Sequence, residues 1–149
     1  MTINPDLQGR SYPAKEVYDV GREKIREFAR AVKATHPAHF EVEAAAALGH
    51  SDLVAPPTFA IIVAQRADAQ LIEDPDAGID FSRVVHGEQR FTYTRPIVAG
   101  DELTATLLVT SIKSLGGNSM VTAESTIVDA TGAHVVTAAS TLVVRAEDA

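Results

Sequence analysis

The sequence contains no cysteine. Disulfide bonds and thiolate chemistry are therefore both excluded, and the composition leaves the redox compartment open. Basic residues are also in short supply, because thirteen lysines and arginines stand against twenty acidic residues, which gives a formal net charge of −7. Nucleic acids and anionic membranes select basic surfaces, so neither is expected as the main partner.

Long apolar stretches are missing as well. No apolar run approaches the roughly 20 residues of a membrane-spanning helix. The first residues, Met1 to Asp6, provide neither the basic nor the apolar part of a signal sequence, so a cytoplasmic protein is expected. There are no internal repeats, low-complexity tracts or linker-like segments, and residues 1–149 are expected to form one domain.

Two helices are predicted in the first third of the sequence. The first opens at Gly21 and places one apolar stripe on its surface, at Ile25, Phe28, Ala29 and Val32. It is expected to stop before Pro37, because the residue that precedes a proline is pushed out of the helical region. Glu41 to Leu48 predicts a short alanine-rich helix that Gly49 ends.

The longest predicted helix covers Thr58 to Ile72. Its start, Phe59 to Ala64, is apolar on every side, which predicts burial all round, and Pro57 suits the first helical turn. The second half is expected to carry a solvent-facing polar side, formed by Gln65, Arg66, Asp68 and Gln70.

The apolar pattern then changes to a period of two. It predicts a strand that ends before Pro96 and three further strands, separated by turn sequences at 98–101, 115–118 and 129–132. In simple alternation His86 faces away from Val85 and Phe91, which favours a sheet-surface or interface role for it. With a first extended segment over Tyr12–Val20, the order predicts an α+β fold in which an antiparallel sheet surrounds one buried helix.

Five short stretches of the sequence occur in a specific order: Val20–Ala29, His36–His39, Ala55–Phe59, Val85–Phe91 and Arg95–Asp101. Together they resemble the MaoC-like, FAS1-like dehydratase N-terminal family, close to the non-catalytic A and C subunits of the mycobacterial (3R)-hydroxyacyl-ACP dehydratases. The resemblance implies a hot-dog fold, in which a curved antiparallel sheet wraps a long central helix. It also implies acyl-CoA or acyl-ACP thioesters as substrates, and a homodimer or a heterodimer with a catalytic MaoC-like subunit.

The resemblance further points to a catalytic loop. In the active relatives this loop has the pattern D-x-N-P-x-H, and its Asp and His share the acid and base steps of enoyl-thioester hydration. Here Pro37 and His39 match the pattern, but Ala34 stands at the Asp position and His36 at the Asn position. His39 is accordingly the candidate catalytic residue, with His36 as a second candidate, while loop residues kept for structural reasons are the competing interpretation.

A second departure concerns the start of the long helix. In the active relatives a glycine N–H there points at the thioester carbonyl, and the resemblance places Pro57 at that position. Proline has no N–H, so this oxyanion donor is missing. The candidate substrate-binding residues are Pro57, Thr58, Phe59, Ile62 and Val63. For Phe59, Ile62 and Val63, core packing is the competing interpretation.

These residues lead to one main hypothesis and two alternatives. The chain is expected to be the substrate-binding, catalytically impaired component of an (R)-specific 3-hydroxyacyl-thioester dehydratase. The alternatives are an autonomous (R)-specific enoyl-CoA hydratase that uses His39 with Glu41 or Asp52, and a non-enzymatic homodimer that binds acyl thioesters. No cofactor is expected, and no two of the five histidines are spaced with carboxylates as a metal site. The length of the acyl chain and the identity of the thioester carrier are left open.

Overall fold

The computed structural model describes residues 3–147, and the first half of this range is mostly helical. Its elements are β1 (Ser11–Tyr12), β2 (Tyr18–Asp19), α1 (Arg22–Ala31), α2 (Val42–Ala47) and α3 (Ala60–Glu73). The extended segment expected over Tyr12–Val20 is thus two short strands, and both pair with the same later strand. None of the helices in the described range is both long enough and apolar enough to cross a membrane.

Helix α1 begins after Gly21, as the sequence predicts, but it ends well before Pro37. Lys33 takes a left-handed conformation with φ of 58°, and the N–H of Ala34 then bonds to the carbonyl of Ala29 at 2.8 Å. Such a bond satisfies a carbonyl that the end of a helix would otherwise leave free. The chain therefore reverses at Lys33, and Ala34 begins the loop that leads to His39.

Helix α3 begins at Ala60, with Phe59 as its N-cap, so Pro57 lies before the helix and not in its first turn. The N–H of Phe59 bonds to the carbonyl of Pro56, which makes Pro57 the second residue of a turn. Proline suits that position because its φ is already fixed near the required value. The expectation that placed Pro57 inside the helix was wrong for this reason.

The buried stripe of α3 contains one acidic residue. The stripe consists of Ala60, Val63, Ala64, Ala67, Asp68 and Leu71. Asp68 is only 5% exposed, so its predicted place on the solvent-facing side was wrong. It lies four residues after Ala64 and three before Leu71, which is the spacing of a shared helix face. Complete burial at the start of the helix was also too strong a prediction, because Ile61 and Ile62 are half-buried.

Four long strands follow α3 and form an antiparallel sheet. They are β3 (Val84–Tyr93), β4 (Glu102–Leu115), β5 (Asn118–Val128) and β6 (His134–Val144). The order across the sheet is β1-β4-β5-β6-β3, so among the described residues β3 lies at an edge and pairs with β6 alone. Gly116 and Gly117, both with positive φ, close the β4–β5 hairpin, as two-residue turns require. With α3 packed against the sheet, the α+β hot-dog prediction is confirmed.

Strand β3 contains a bulge that changes which side chains face α3. The pairing with β6 shifts by one residue between His86 and Glu88, so Gly87 has no partner of its own. On β6, His86 pairs with Leu142 and Phe91 pairs with Ala138. Leu142 and Ala138 lie on the same face of β6, so His86 and Phe91 share a face as well. His86 therefore lies on the α3 side and Val85 on the other, which reverses the faces predicted from simple alternation.

Candidate active site

A cavity of about 490 Å³ lies at the N-terminal end of α3. Three segments meet there: the loop that contains His36 and His39, the segment 54–57 and the end of β3 with the residues that follow it. The polar side chains that line it include two imidazoles, the phenol of Tyr93 and the guanidinium of Arg95. No carboxylate lines this cavity within the described part of the chain.

The His39 ring is held in a fixed orientation. Its Nδ1 lies 2.7 Å from the carbonyl oxygen of Val54. Because a carbonyl oxygen only accepts hydrogen bonds, Nδ1 carries the proton, and Nε2 of the neutral ring is left as the acceptor. The N–H of Val54 in turn bonds to the carbonyl of Ala38 at 3.1 Å. These two bonds fasten the loop to the segment before α3, and the first of them is also the bond that a catalytic base needs for orientation.

His36 caps the short 3-10 turn Pro37–His39. Its Nδ1 accepts the N–H of Ala38 at 3.1 Å, and its side chain is exposed. The rings of His36 and His39 are 6.2 Å apart, edge to face. Since Nδ1 of His36 is an acceptor, the proton of its neutral ring is on Nε2. His36 therefore has a structural task in the loop, which is one of the two interpretations that its position before proline allowed.

Neither acid that the sequence offered as a partner for His39 lines the cavity. Asp52 receives two hydrogen bonds from the guanidinium of Arg22, at 3.0 and 2.8 Å, and a third from the N–H of Leu53. The arginine lowers the pKa of Asp52, so this carboxyl is ionised near neutral pH and has no proton to donate. Glu41 is exposed and stands at the start of α2.

The start of α3 is occupied by a side chain of the protein itself. The hydroxyl of Tyr93 donates a short hydrogen bond to the carbonyl of Pro57, and the N–H of Ala60 approaches the same phenol oxygen as a donor. Burial raises the pKa of Tyr93 to about 12, which keeps the hydroxyl protonated. The Tyr93 phenol therefore lies beside the backbone N–H groups at the start of α3.

Arg95 lines the cavity, but its charge is neutralised by two carboxylates. The guanidinium donates to both oxygens of Asp101, each at 2.9 Å, and to Asp129 at 3.1 Å. The Thr131 hydroxyl and Arg95 together lower the pKa of Asp129 to about 2. Arg95 thus joins the end of β3 to the residue before β4 and to the residue after β5. Because both carboxylates pair with it, its guanidinium has little charge left for an anionic ligand.

The residues that the sequence proposed for substrate binding are only partly brought together. Pro57 lines the cavity and Thr58 is exposed beside it. Phe59 is fully buried and packs edge to face against Tyr18 and Phe28, with ring centroids 6.3 and 5.4 Å apart. Ile62 is half-buried outside the cavity lining, and Val63 lines a different, smaller cavity.

Sequence reasoning missed two side chains of this cavity, Tyr93 and Arg95. The sequence pattern gives Tyr93 no role beyond the strand that precedes Pro96, and Arg95 enters only as the first residue of a stretch that resembles the family. The signal for Arg95 was the aspartate six residues later, because an arginine and an aspartate that flank a turn often form a pair across it. No sequence signal places the Tyr93 hydroxyl on Pro57, since that contact depends on how the helix meets the sheet.

Comparison with known proteins shows the family. The model of the "FAS1-like, dehydratase domain region" matches residues 6–138. The UPF0336 protein of Clavibacter michiganensis is 66% identical over 149 residues, the whole of both chains. A chain of the HadBC (3R-hydroxyacyl-ACP dehydratase) complex from Mycobacterium tuberculosis is 38% identical, with a TM-score of 0.85 over 93% of this chain and 97% of that one. A MaoC-like dehydratase is 40% identical, with a TM-score of 0.87 over 95% of this chain and 43% of that one.

Proposed function

The chain belongs to the FAS1-like dehydratase domain family, and from this premise we propose that it is the substrate-binding, catalytically impaired subunit of an (R)-specific 3-hydroxyacyl-thioester dehydratase. The observation that carries the proposal is the cavity at the start of α3, which contains an oriented His39 and, among residues 3–147, no carboxylate in its lining. The substrate is an acyl chain on coenzyme A or acyl carrier protein.

The reaction needs more groups than this cavity supplies. Dehydration of a 3-hydroxyacyl thioester requires a base for the α-proton, an acid for the departing hydroxyl and donors for the enolate oxygen. Nε2 of His39 is able to accept a proton. Ala34 provides no acid and Pro57 provides no N–H. The missing groups therefore come from a second hot-dog chain.

The edge of the sheet supports such a partner. In the part of the chain that the structure describes, strand β3 pairs on one side only, and an unpaired strand edge is a template for another strand. Two apolar side chains on or just before it are exposed, Phe81 at 68% and Val85 at 44%. The M. tuberculosis relative is itself described as a complex of two kinds of subunit. We propose that β3 continues the sheet into a catalytic MaoC-like subunit.

Association is the direct test of this proposal. The purified chain is mixed with a hot-dog chain that carries the complete D-x-N-P-x-H loop, and the masses of the assemblies are measured by native mass spectrometry. Heterodimers are expected to replace homodimers. A hot-dog thioesterase serves as the control partner, with which no mixed species should form. A homodimer that persists in the presence of every catalytic candidate would contradict the proposal.

The ordered His39 ring favours one alternative, an autonomous (R)-specific enoyl-CoA hydratase. The bond from Nδ1 to Val54 leaves Nε2 unprotonated, as a general base requires. The autonomous hydratase needs Nε2 of His39 for catalysis, and the proposed catalytically impaired subunit does not. Substitutions at His39 distinguish the two functions.

His39→Asn keeps an N–H donor close to the position of Nδ1, whereas His39→Ala removes it together with the ring. We expect His39→Asn to match the wild type in stability and His39→Ala to lose about 1 kcal/mol of unfolding free energy, the usual contribution of one hydrogen bond. Urea unfolding and hydration of crotonyl-CoA by the chain alone are measured for all three proteins. Clear activity of the wild type, lost equally in both variants, would establish the autonomous hydratase instead.

A further inference from the structure

A second cavity, of about 720 Å³, lies between the C-terminal half of α3 and strands β3 and β6. Much of its wall is apolar, and Ile72, Phe81, Val84 and Leu142 contribute to it. Asp68 and His86 contribute two of its ionisable groups. An apolar cavity with a few converging polar groups is the usual form of a small-molecule site. It is separate from the cavity that contains His39, which lies at the opposite end of α3.

The carboxyl of Asp68 is the unusual feature of this cavity. Asp68 is 95% buried, and burial raises its pKa to about 6, against opposing effects of His86 and Ser140. The hydroxyl of Ser140 lies 2.6 Å from the amide oxygen of Gln89, which only accepts hydrogen bonds. The single proton of Ser140 is therefore shared between Gln89 and Asp68, whose pKa the Ser140 hydrogen bond lowers.

The bulge at Gly87 brings His86 into this cavity. A side chain at residue 87 would come within 3.1 Å of Val143 and 3.3 Å of the Thr141 carbonyl, so only glycine fits without a shift. The Nε2 of His86 is bonded to the carbonyl of Glu88 at 3.1 Å. His86 thus acts on Asp68 through charge and donates no hydrogen bond to it from that nitrogen.

We propose that this cavity binds an aliphatic molecule whose buried end carries a hydrogen-bond donor, a hydroxyl or an ammonium group, and that Asp68 accepts that donor. A buried carboxylate whose donor, Ser140, is shared with Gln89 is costly to keep ionised, and a ligand donor would supply a further hydrogen bond. The apolar walls take the aliphatic part. The inference goes beyond the proposed function and does not depend on it, because no residue of the His39 cavity takes part.

Three probes of equal size test the inference by calorimetric titration. 1-Octanol carries a hydroxyl, octylamine carries an ammonium group, and 1-methoxyheptane, an isomer of octanol, carries no donor. We expect the alcohol or the amine to bind at least about tenfold more tightly than the ether, since hydrogen bonds to charged groups are among the stronger ones. A better alcohol identifies a neutral ligand class, and a better amine identifies a cationic one.

Two variants assign the effect to one residue. Asp68→Leu should bind the ether at least as well as the donors, and Asp68→Ala gives the same readout if the leucine variant does not fold. Glu43→Leu, at an exposed position of α2 outside this cavity, should keep the preference of the wild type. Amide chemical shifts should change around Val84 and Leu142 and not around His39. Equal binding of octanol and the ether, no binding of any probe, or a preference that survives Asp68→Leu would overturn the inference.

Discussion

Crotonyl-CoA will be hydrated at least ~100-fold faster by an equimolar mixture of this chain and a catalytic hot-dog subunit than by this chain alone, because a positioned acid/base pair contributes ~10²–10⁴ in rate. The catalytic subunit alone is the necessary control, and it is expected to be slower than the mixture. The rates are measured from the loss of enoyl-thioester absorbance. An equal rate for this chain with and without the partner would contradict the expectation.

Ala34→Asp provides a matched variant of the chain by itself. Ala34 is partly exposed in the loop after α1, so a carboxylate can be accommodated there. The variant should hydrate crotonyl-CoA faster than the wild-type chain and remain slower than the mixture. The reason is that Pro57 still provides no N–H for the enolate oxygen, and the loss of such a donor costs ~10²–10³ in turnover. A variant no faster than the wild type would show that the missing carboxylate at residue 34 is not what limits the chain.

Asp68→Asn will raise the free energy of unfolding at pH 8 and leave it unchanged near pH 4. The pKa of Asp68 is raised from 3.8 to about 6 by burial, and a difference of about two pKa units corresponds to about 3 kcal/mol. For a carboxyl with a raised pKa, the contribution to stability is complete below pH 3.8 and is lost as the pH rises through about 6. Asparagine cannot ionise, so the variant escapes this loss.

Urea unfolding followed by circular dichroism at pH 4, 6 and 8 gives the difference between variant and wild type. His86 on β3 and Glu73 on α3 border the same cavity and are present in both proteins, so most of their contribution cancels in that difference. Asp19→Asn, at an exposed position of β2, is the control and should show no comparable rise with pH. If the difference in unfolding free energy between Asp68→Asn and the wild type does not grow between pH 4 and pH 8, Asp68 ionises in the folded protein without the expected loss of stability.

The elements of this fold could be predicted because their periodicity is regular. Helix α3 and the four strands follow the 3.6-residue and two-residue patterns closely, and the turn sequences separate the strands. The errors occurred where one residue breaks the period. Gly87 has no partner in β6, so simple alternation assigns the β3 residues before Gly87 to the wrong faces of the sheet. His86 is one of these residues. A pattern of alternation carries no sign of which glycine will form a bulge.

The candidate site could be predicted only in part. The loop that contains His36 and His39 was found from its resemblance to a motif, and the structure places both rings at one cavity. Asp68 was taken as solvent-facing because acidic residues rarely lie in a core, although its spacing from Ala64 and Leu71 already placed it on the buried stripe. Phe59 was proposed to bind substrate and is packed between aromatic rings instead. Tertiary packing determined each of these outcomes.

The pairing of β3 has a consequence for synthesis on the ribosome. This strand emerges before β4, β5 and β6, yet within residues 3–147 it pairs with β6 alone, which is the last strand of that range. While some forty residues from 94 to 133 are being added, β3 has no strand beside it in the nascent chain. The charged pair Glu88 and Arg90, 3.0 Å apart on its exposed side, is the kind of feature that keeps such a strand from joining a neighbouring polypeptide too early.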